Sequence, residues 1–94
     1  MRSRFKPKFW RDIQKIKNDK EAMMALDRVF MKVEKAQRID EIPDIKQLEK
    51  FPARYRIKLF LDRKRDYRIG LYIHGNTVWV TRLLHRKKIY EEHW

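Results

Sequence analysis

Arg56 and Lys58 stand two residues apart in R-Y-R-I-K-L-F-L, residues 54–61, where polar and apolar side chains alternate, so both point to one face of a strand. Arg68 holds the matching phase of the next alternating run, and Arg86 and Tyr90 follow in a basic tail. Like charges on adjacent strands repel, and such a cationic cluster recovers its cost when an anion binds. The plainer alternative is a solvated sheet face whose lysines guard an edge against aggregation; the convergence of five groups favours a phosphate-binding concavity. Phosphodiester cleavage in RNA asks three things of a protein: help in deprotonating the ribose 2′-hydroxyl, cations around the phosphorane that follows, and a proton for the leaving 5′-oxygen. Arginines supply the second and, when positioned, assist the third; a tyrosine stacks on a base or donates a hydrogen bond. The base is the weak point. No Asp or Glu is clearly placed within the cluster, so Lys58, beside cations that disfavour its own charge, or His85 would have to serve.

The elements that must position these groups follow from hydrophobic spacing. Phe9, Ile13 and Ile16 recur at four and three, predicting a helix over 8–17. Asn18 and Asp19 interrupt that pattern and supply an N-cap for a second helix over 20–37, with Ala22, Leu26, Val29, Phe30 and Val33 on one face and Met23 and Met24 widening it. Pro43 forbids a continuous helix in the acidic connector that follows, where a short helical turn is expected near 45–49. From residue 54 the period changes to two. Strands are expected over 54–61, 67–74 and 77–84 in meander order, with a charged connection over 62–66 and a two-residue hairpin turn at Gly75 and Asn76. Residues 2–6 would add an edge strand, and the polar tail would end in a helical turn. The expected architecture is α+β: one domain over 1–94, an N-terminal helical hairpin packed on a twisted antiparallel sheet of three to four strands, with a short C-terminal helical tail.

Composition narrows the partners. Twenty-five Lys and Arg against 13 Asp and Glu leave the 94-residue chain at +12, which points to a polyanion. The surplus is local: residues 1–11 carry five bases and no acids, residues 50–68 eight bases and two acids, while residues 12–49 nearly balance. The absence of cysteine excludes disulfides, thiolate zinc sites and thiol nucleophiles. The longest apolar run, 22–26, is too short to cross a bilayer, and the basic N-terminus develops no signal-peptide core, so a soluble cytoplasmic protein is expected. Three scattered histidines make no zinc site, and no metal or other cofactor is expected; His74 reads as a surface residue. Trp10 and Trp79 read as core or sheet-packing residues, and Trp94 either packs back on the fold or engages a partner.

Y-R-I-K-L at 55–59, D-Y-R-I-G at 66–70, G-N-T-V at 75–78 and L-H-R-K-K-I-Y at 84–90, in this order and spacing, resemble the RelE/ParE superfamily of bacterial type II toxins, especially its RelE branch. The resemblance implies a ribosome-dependent mRNA endonuclease that needs no metal and is inhibited by an adjacently encoded, acidic antitoxin wrapping around it. Its further implied partners are the 70S ribosome and mRNA, with operator DNA met only through the antitoxin and no membrane. The catalytic positions of RelE-type toxins fall on Arg56, Lys58, Arg68, Arg86 and Tyr90, with His85 as an additional contact. Arg56 stands where some relatives have Lys, which keeps the charge but makes a poor base and leaves Lys58 the better candidate. The connection 62–66 is longer than the compact turn expected between these strands. Arg54, Arg63, Lys64, Arg65, Lys87 and Lys88, with the bases of residues 1–11, suit docking on RNA. Two other readings compete: a ParE-like inhibitor of DNA gyrase, which does not need convergent phosphate-handling groups, and an RNA-binding module without catalysis, which would bind with steep salt dependence and arrest nothing.

Overall fold

Pro7 starts the first helix, its ring pre-set for a first turn that needs no N–H from it, and Phe9 and Ile13 bury one face of α1, Pro7–Gln14. The chain then tightens through N–H donations from Lys15 to Asp12, Ile16 to Ile13 and Asp19 to Ile16, so this helix ends three residues before the expected 17. Asp19 caps α2, Lys20–Lys35, its carboxylate accepting from the Ala22 N–H at 3.1 Å, as the sequence predicts. Ala22, Leu26 and Val33 are buried on that helix, but Met24 faces solvent, so the apolar stripe is narrower than its composition suggests. Trp10 is also half-exposed, stacked beside Phe5 rather than in the core.

A computed structural model describes residues 1–91; Trp94, for which the sequence left two roles open, lies outside the described residues. Five strands form one sheet: β1, Arg2–Phe5; β2, Ile45–Leu48; β3, Phe51–Phe60; β4, Asp66–His74; and β5, Thr77–His85. Their order is β1, β5, β4, β3, β2, with β1 parallel to β5 and every other pair antiparallel. This corrects the expected three- to four-stranded antiparallel sheet in two ways. Residues 45–48 form an edge strand instead of a helical turn, because Asp44 adopts the left-handed conformation (φ 60°) after Pro43 and swings the chain alongside β3. The N-terminal strand joins the far edge in parallel, since the helices carry the chain back across the sheet before the rest is built. After β5 the described tail is two successive i→i+3 turns, Lys88 to His85 and Glu91 to Lys88, where a helical tail was expected. Gly75, at φ 60°, is the position of the β4–β5 hairpin that needs glycine's freedom.

Both helices cover one sheet face. Phe9, Ile13, Leu26 and Val33 meet Ile57, Leu59, Ile69, Leu71, Ile73, Val78, Val80 and Leu83 there. The alternation of β5 changes phase midway. Val80 pairs with Leu71 but Arg82 with Gly70, leaving Thr81 as the extra residue of a β-bulge, its hydroxyl donating to the Gly70 carbonyl at 2.9 Å. Past the bulge Leu83 enters the core and Leu84 moves to the outer face. Beyond Phe5, where β1 stops covering β5, the Asp12 carboxylate takes the place of a strand: it accepts from the Leu83 N–H at 2.8 Å and from Arg82 Nε and Nη2 at 2.9 and 3.2 Å.

A second carboxylate clamp joins α2 to the β3–β4 connection. Arg65 pairs with Asp19 at 3.1 Å, Glu21 at 2.7 Å and Asp62 at 2.7 Å, folding the long 62–66 connection back against the helix start. The Arg65 side chain and N–H hold Asp62 below the usual carboxylate range; Asp19 is lowered first by the Ala22 N–H and then by Arg65.

Asp12→Ala should lower unfolding free energy in urea by about 3 kcal/mol, since it removes the carboxylate of a nearly buried ion pair and leaves an edge N–H open. Because the native Asp19 and Asp62 values lie below their unfolded ones, their contribution is complete above about pH 4–5 and lost as pH falls through the native values. The stability gap between the wild type and Arg65→Gln should therefore be constant from pH 5 to 8 and close as the pH drops below about 4.

Candidate functional site

The sheet face away from the helices collects the cationic residues. On it the register sets Lys58 directly opposite Arg68, which in turn lies opposite Leu84; Arg56 lies between Lys46 on β2 and Gly70 on β4. The long 62–66 connection thus leaves Arg68 beside Lys58, where an ordinary hairpin would put it. Lys58 is exposed and Arg56 half-buried, its Nη1 donating to the Asp44 carbonyl at 2.9 Å, the same oxygen that accepts the Lys58 N–H. Gly70 contributes no side chain beside Arg56, so the floor there is backbone.

Two like charges directly opposite would cost stability, and the structure supplies a carboxylate for one of them, Arg68. Asp66 is buried at the start of β4; its Oδ1 accepts from Arg68 Nη1 at 2.7 Å, its Oδ2 stands 3.7 Å from Arg86 Nε, and its carbonyl accepts the Arg86 N–H at 2.9 Å. One acid therefore fixes two arginines from different parts of the chain. The signal was in the sequence: Asp66 precedes Arg68 by two, so alternation places both on one face. The pair is unequal in access. The Arg68 side chain is 11% exposed and Arg86 57%, so Arg68 forms a fixed electrostatic wall while Arg86 reaches outward.

Tyr90 is exposed, and buried Ile89 anchors the tail before it. The two residues line a groove of about 450 Å³ with Lys46, Phe51 and Arg54, so Tyr90 faces the β2–β3 hairpin. His85 pairs with Tyr67, on the face opposite to Arg68 and Leu84, and its Nδ1 accepts the Lys87 N–H at 3.3 Å. Among the docking candidates, Arg63 and Lys64 are exposed on the β3–β4 connection and Lys87 and Lys88 on the tail turns. Arg54 sits over the Phe51 ring, 4.4 Å from its centroid. Arg65 differs from them, its guanidinium already matched by three carboxylates. Trp79 is half-buried on the outer face, opposite Tyr72, and not in the core. No described helix is long and apolar enough to cross a membrane.

Two helices against one face of this sheet, with an open cationic face behind, define a fold shared with other solved proteins. A chain of the RelB-RelE antitoxin-toxin complex from Methanococcus jannaschii superposes with a TM-score of 0.73 at 24% identity, covering 93% of this chain and 94% of that one. YafQ from E. coli strain BL21(DE3) superposes with a TM-score of 0.68 at 9% identity, over 96% of this chain and 99% of that one. By sequence, Toxin RelE3 of Methanocaldococcus jannaschii is 40% identical over 48 residues, 51% of this chain and 49% of that protein, so the match spans about half the length of this curated relative. No family model matches the chain. In fold, and over half of its sequence, the chain is thus similar to proteins named RelE.

Removing Asp66 should reveal the inequality of its partners. Asp66→Ala should cost about 3 kcal/mol in urea unfolding, because Arg68 would be left buried and unmatched. Arg86→Ala should cost less than about 1 kcal/mol, as expected for an exposed pair.

Proposed function

We propose that this chain is the toxin of a type II toxin-antitoxin pair and acts as an mRNA endonuclease on the translating ribosome. The observation that carries this reading is the cross-strand pair Lys58 and Arg68, tied through Asp66 to Arg86 on a face that the protein's own helices leave open. The groups can be matched to the steps of 2′-hydroxyl attack. Lys58, exposed at the centre, takes the 2′-hydroxyl proton as the oxygen adds to phosphorus. Arg68 and Arg56 hold the negative charge that grows on the phosphorane, pre-oriented so that little reorganisation is needed. The P–O5′ bond then breaks, leaving a 2′,3′-cyclic phosphate, and Arg86 hydrogen-bonds the 5′-oxygen while that oxygen takes a proton from water and Lys58 gives its own back to solvent. Tyr90, across the groove from Lys46 and Arg54, offers a ring on which a base stacks. No cofactor takes part in these steps. The ribosome supplies what so small a basic body lacks, a fixed path for the message, and docks on exposed bases such as Arg63, Lys64, Lys87 and Lys88. An acidic antitoxin would compete for the same charge.

In a reconstituted translation reaction, purified protein should cut ribosome-bound mRNA while leaving free mRNA almost intact. Lys58→Ala and Arg86→Ala should each lower that cleavage by about 100-fold or more with the fold retained. Undiminished cleavage in both variants would remove this site, and inhibition of gyrase supercoiling with messages intact would replace the reading altogether.

A further inference from the structure

A second cross-strand row lies on the same outer face, displaced along the strands from Lys58 and Arg68. The register makes Arg54, Tyr72, Trp79 and Arg4 successive neighbours on β3, β4, β5 and β1. A hollow of about 420 Å³ opens there, lined by Lys6, Arg54, Tyr72, Trp79 and Thr81. Tyr72 is 42% exposed, an aromatic surface set among cations. Two of those cations are placed by rings: Lys6 Nζ stands 4.5 Å from the Trp79 centroid and the Arg54 guanidinium 4.4 Å from the Phe51 centroid. The Trp79 face orients Lys6 without cancelling its charge, whereas the carboxylates that fix Arg65 and Arg68 do cancel theirs.

We propose that this row is a stacking subsite for one base of single-stranded RNA, with the base on the Tyr72 ring and a flanking phosphate on Lys6. The proposal rests on the reading of the neighbouring cluster as an RNA-cleaving centre and extends it to a flanking nucleotide. Tyr72 lies four residues from Arg68 along β4, roughly 13 Å, so the base it holds is not the one at the bond being cut. Stacking on an aromatic ring with cations beside it is how single strands are gripped without sequence readout, and a duplex, its bases already stacked, offers no free ring.

The test is fluorescence anisotropy with a labelled 2′-O-methyl RNA of about eight nucleotides, which lacks the 2′-hydroxyl nucleophile and stays intact. Tyr72→Ala should weaken binding about tenfold, and Tyr72→Phe, which keeps the ring, should stay within about twofold of wild type. Neither should change the slope of log K against log salt. Lys6→Gln should reduce that slope by about 0.7, the value for one single-strand phosphate contact. Wild-type affinity in Tyr72→Ala would overturn the subsite, as would a duplex of the same sequence losing equal affinity in that variant, or an effect of Tyr72→Ala confined to binding of an antitoxin protein. If Tyr72→Ala does not fold, photocrosslinking of a 4-thiouridine oligonucleotide to wild type decides instead: an adduct on Tyr72 supports the subsite, and adducts confined to the tail around Tyr90 overturn it. The two readings separate cleanly. Ribosomal cleavage that depends on Lys58 while Tyr72→Ala binds like wild type rejects only the subsite; a Tyr72-dependent affinity with cleavage indifferent to Lys58 rejects only the catalytic assignment.

Discussion

Where β1 ends, the edge of β5 would be left with an open backbone N–H at Leu83; Asp12, projecting from α1, satisfies it and at the same time clasps the Arg82 guanidinium. This contact spans the chain from its first helix to its last strand, and both ion-pair side chains are nearly excluded from solvent. It makes the helix a substitute for the strand that is missing there. It also holds β5 just past its bulge, the point at which the strand changes which residues face the core. The position of Leu84 beside Arg68, and hence the course of the tail that carries Arg86 and Tyr90, depends on that phase.

The same logic recurs wherever an acid is buried or half-buried. Asp12 takes Arg82, Asp19 and Asp62 take Arg65, and Asp66 takes Arg68 and reaches Arg86. A chain of net charge +12 gains little from neutralising charge at random, because exposed pairs are screened by water and salt. Its partly buried acids are instead spent on arginines whose position matters. The outcome is a graded surface: arginines fixed by carboxylates near the centre, lysine and arginine held against aromatic rings alongside, and solvated bases on the turns. Such grading suits a polyanion that must be both held and oriented, since positioning contacts and reacting contacts then use different groups.

The likeness of this chain to the solved structures it resembles is stronger in fold than in sequence over its full length. That difference has a physical origin. The core asks only for apolar residues of suitable volume at periods of 3.6 and two, which many sequences provide. The outer face asks for particular chemistry at a few positions, and these form short motifs.

By itself the sequence determined whatever is local. Two helices with an Asp19 cap, three alternating strands, the Gly75 turn and the shared face of Arg56, Lys58 and Arg68 all follow from spacing, because side-chain direction repeats with a fixed period within an element. What depended on distant partners was decided by the tertiary structure. The edge strand at 45–48 forms because β3 is there to pair with a segment too short and polar to declare itself, and β1 lies parallel to β5 because of the path of the helices between them. Its place next to Arg86 in the chain put His85 near the site, but the Thr81 bulge inverts the phase of β5 and turns it to the other face. Arg65, one base among three on a turn, becomes a clamp only once the start of α2 is brought against it. Asp66 could be read onto the face of Arg68 from a spacing of two, but its hold on Arg86, twenty residues away, exists only after β4 and β5 pair. Electrostatic partners are chosen by distance in space, and a strand's phase by every residue inserted along it, so neither can be read from the chain one window at a time.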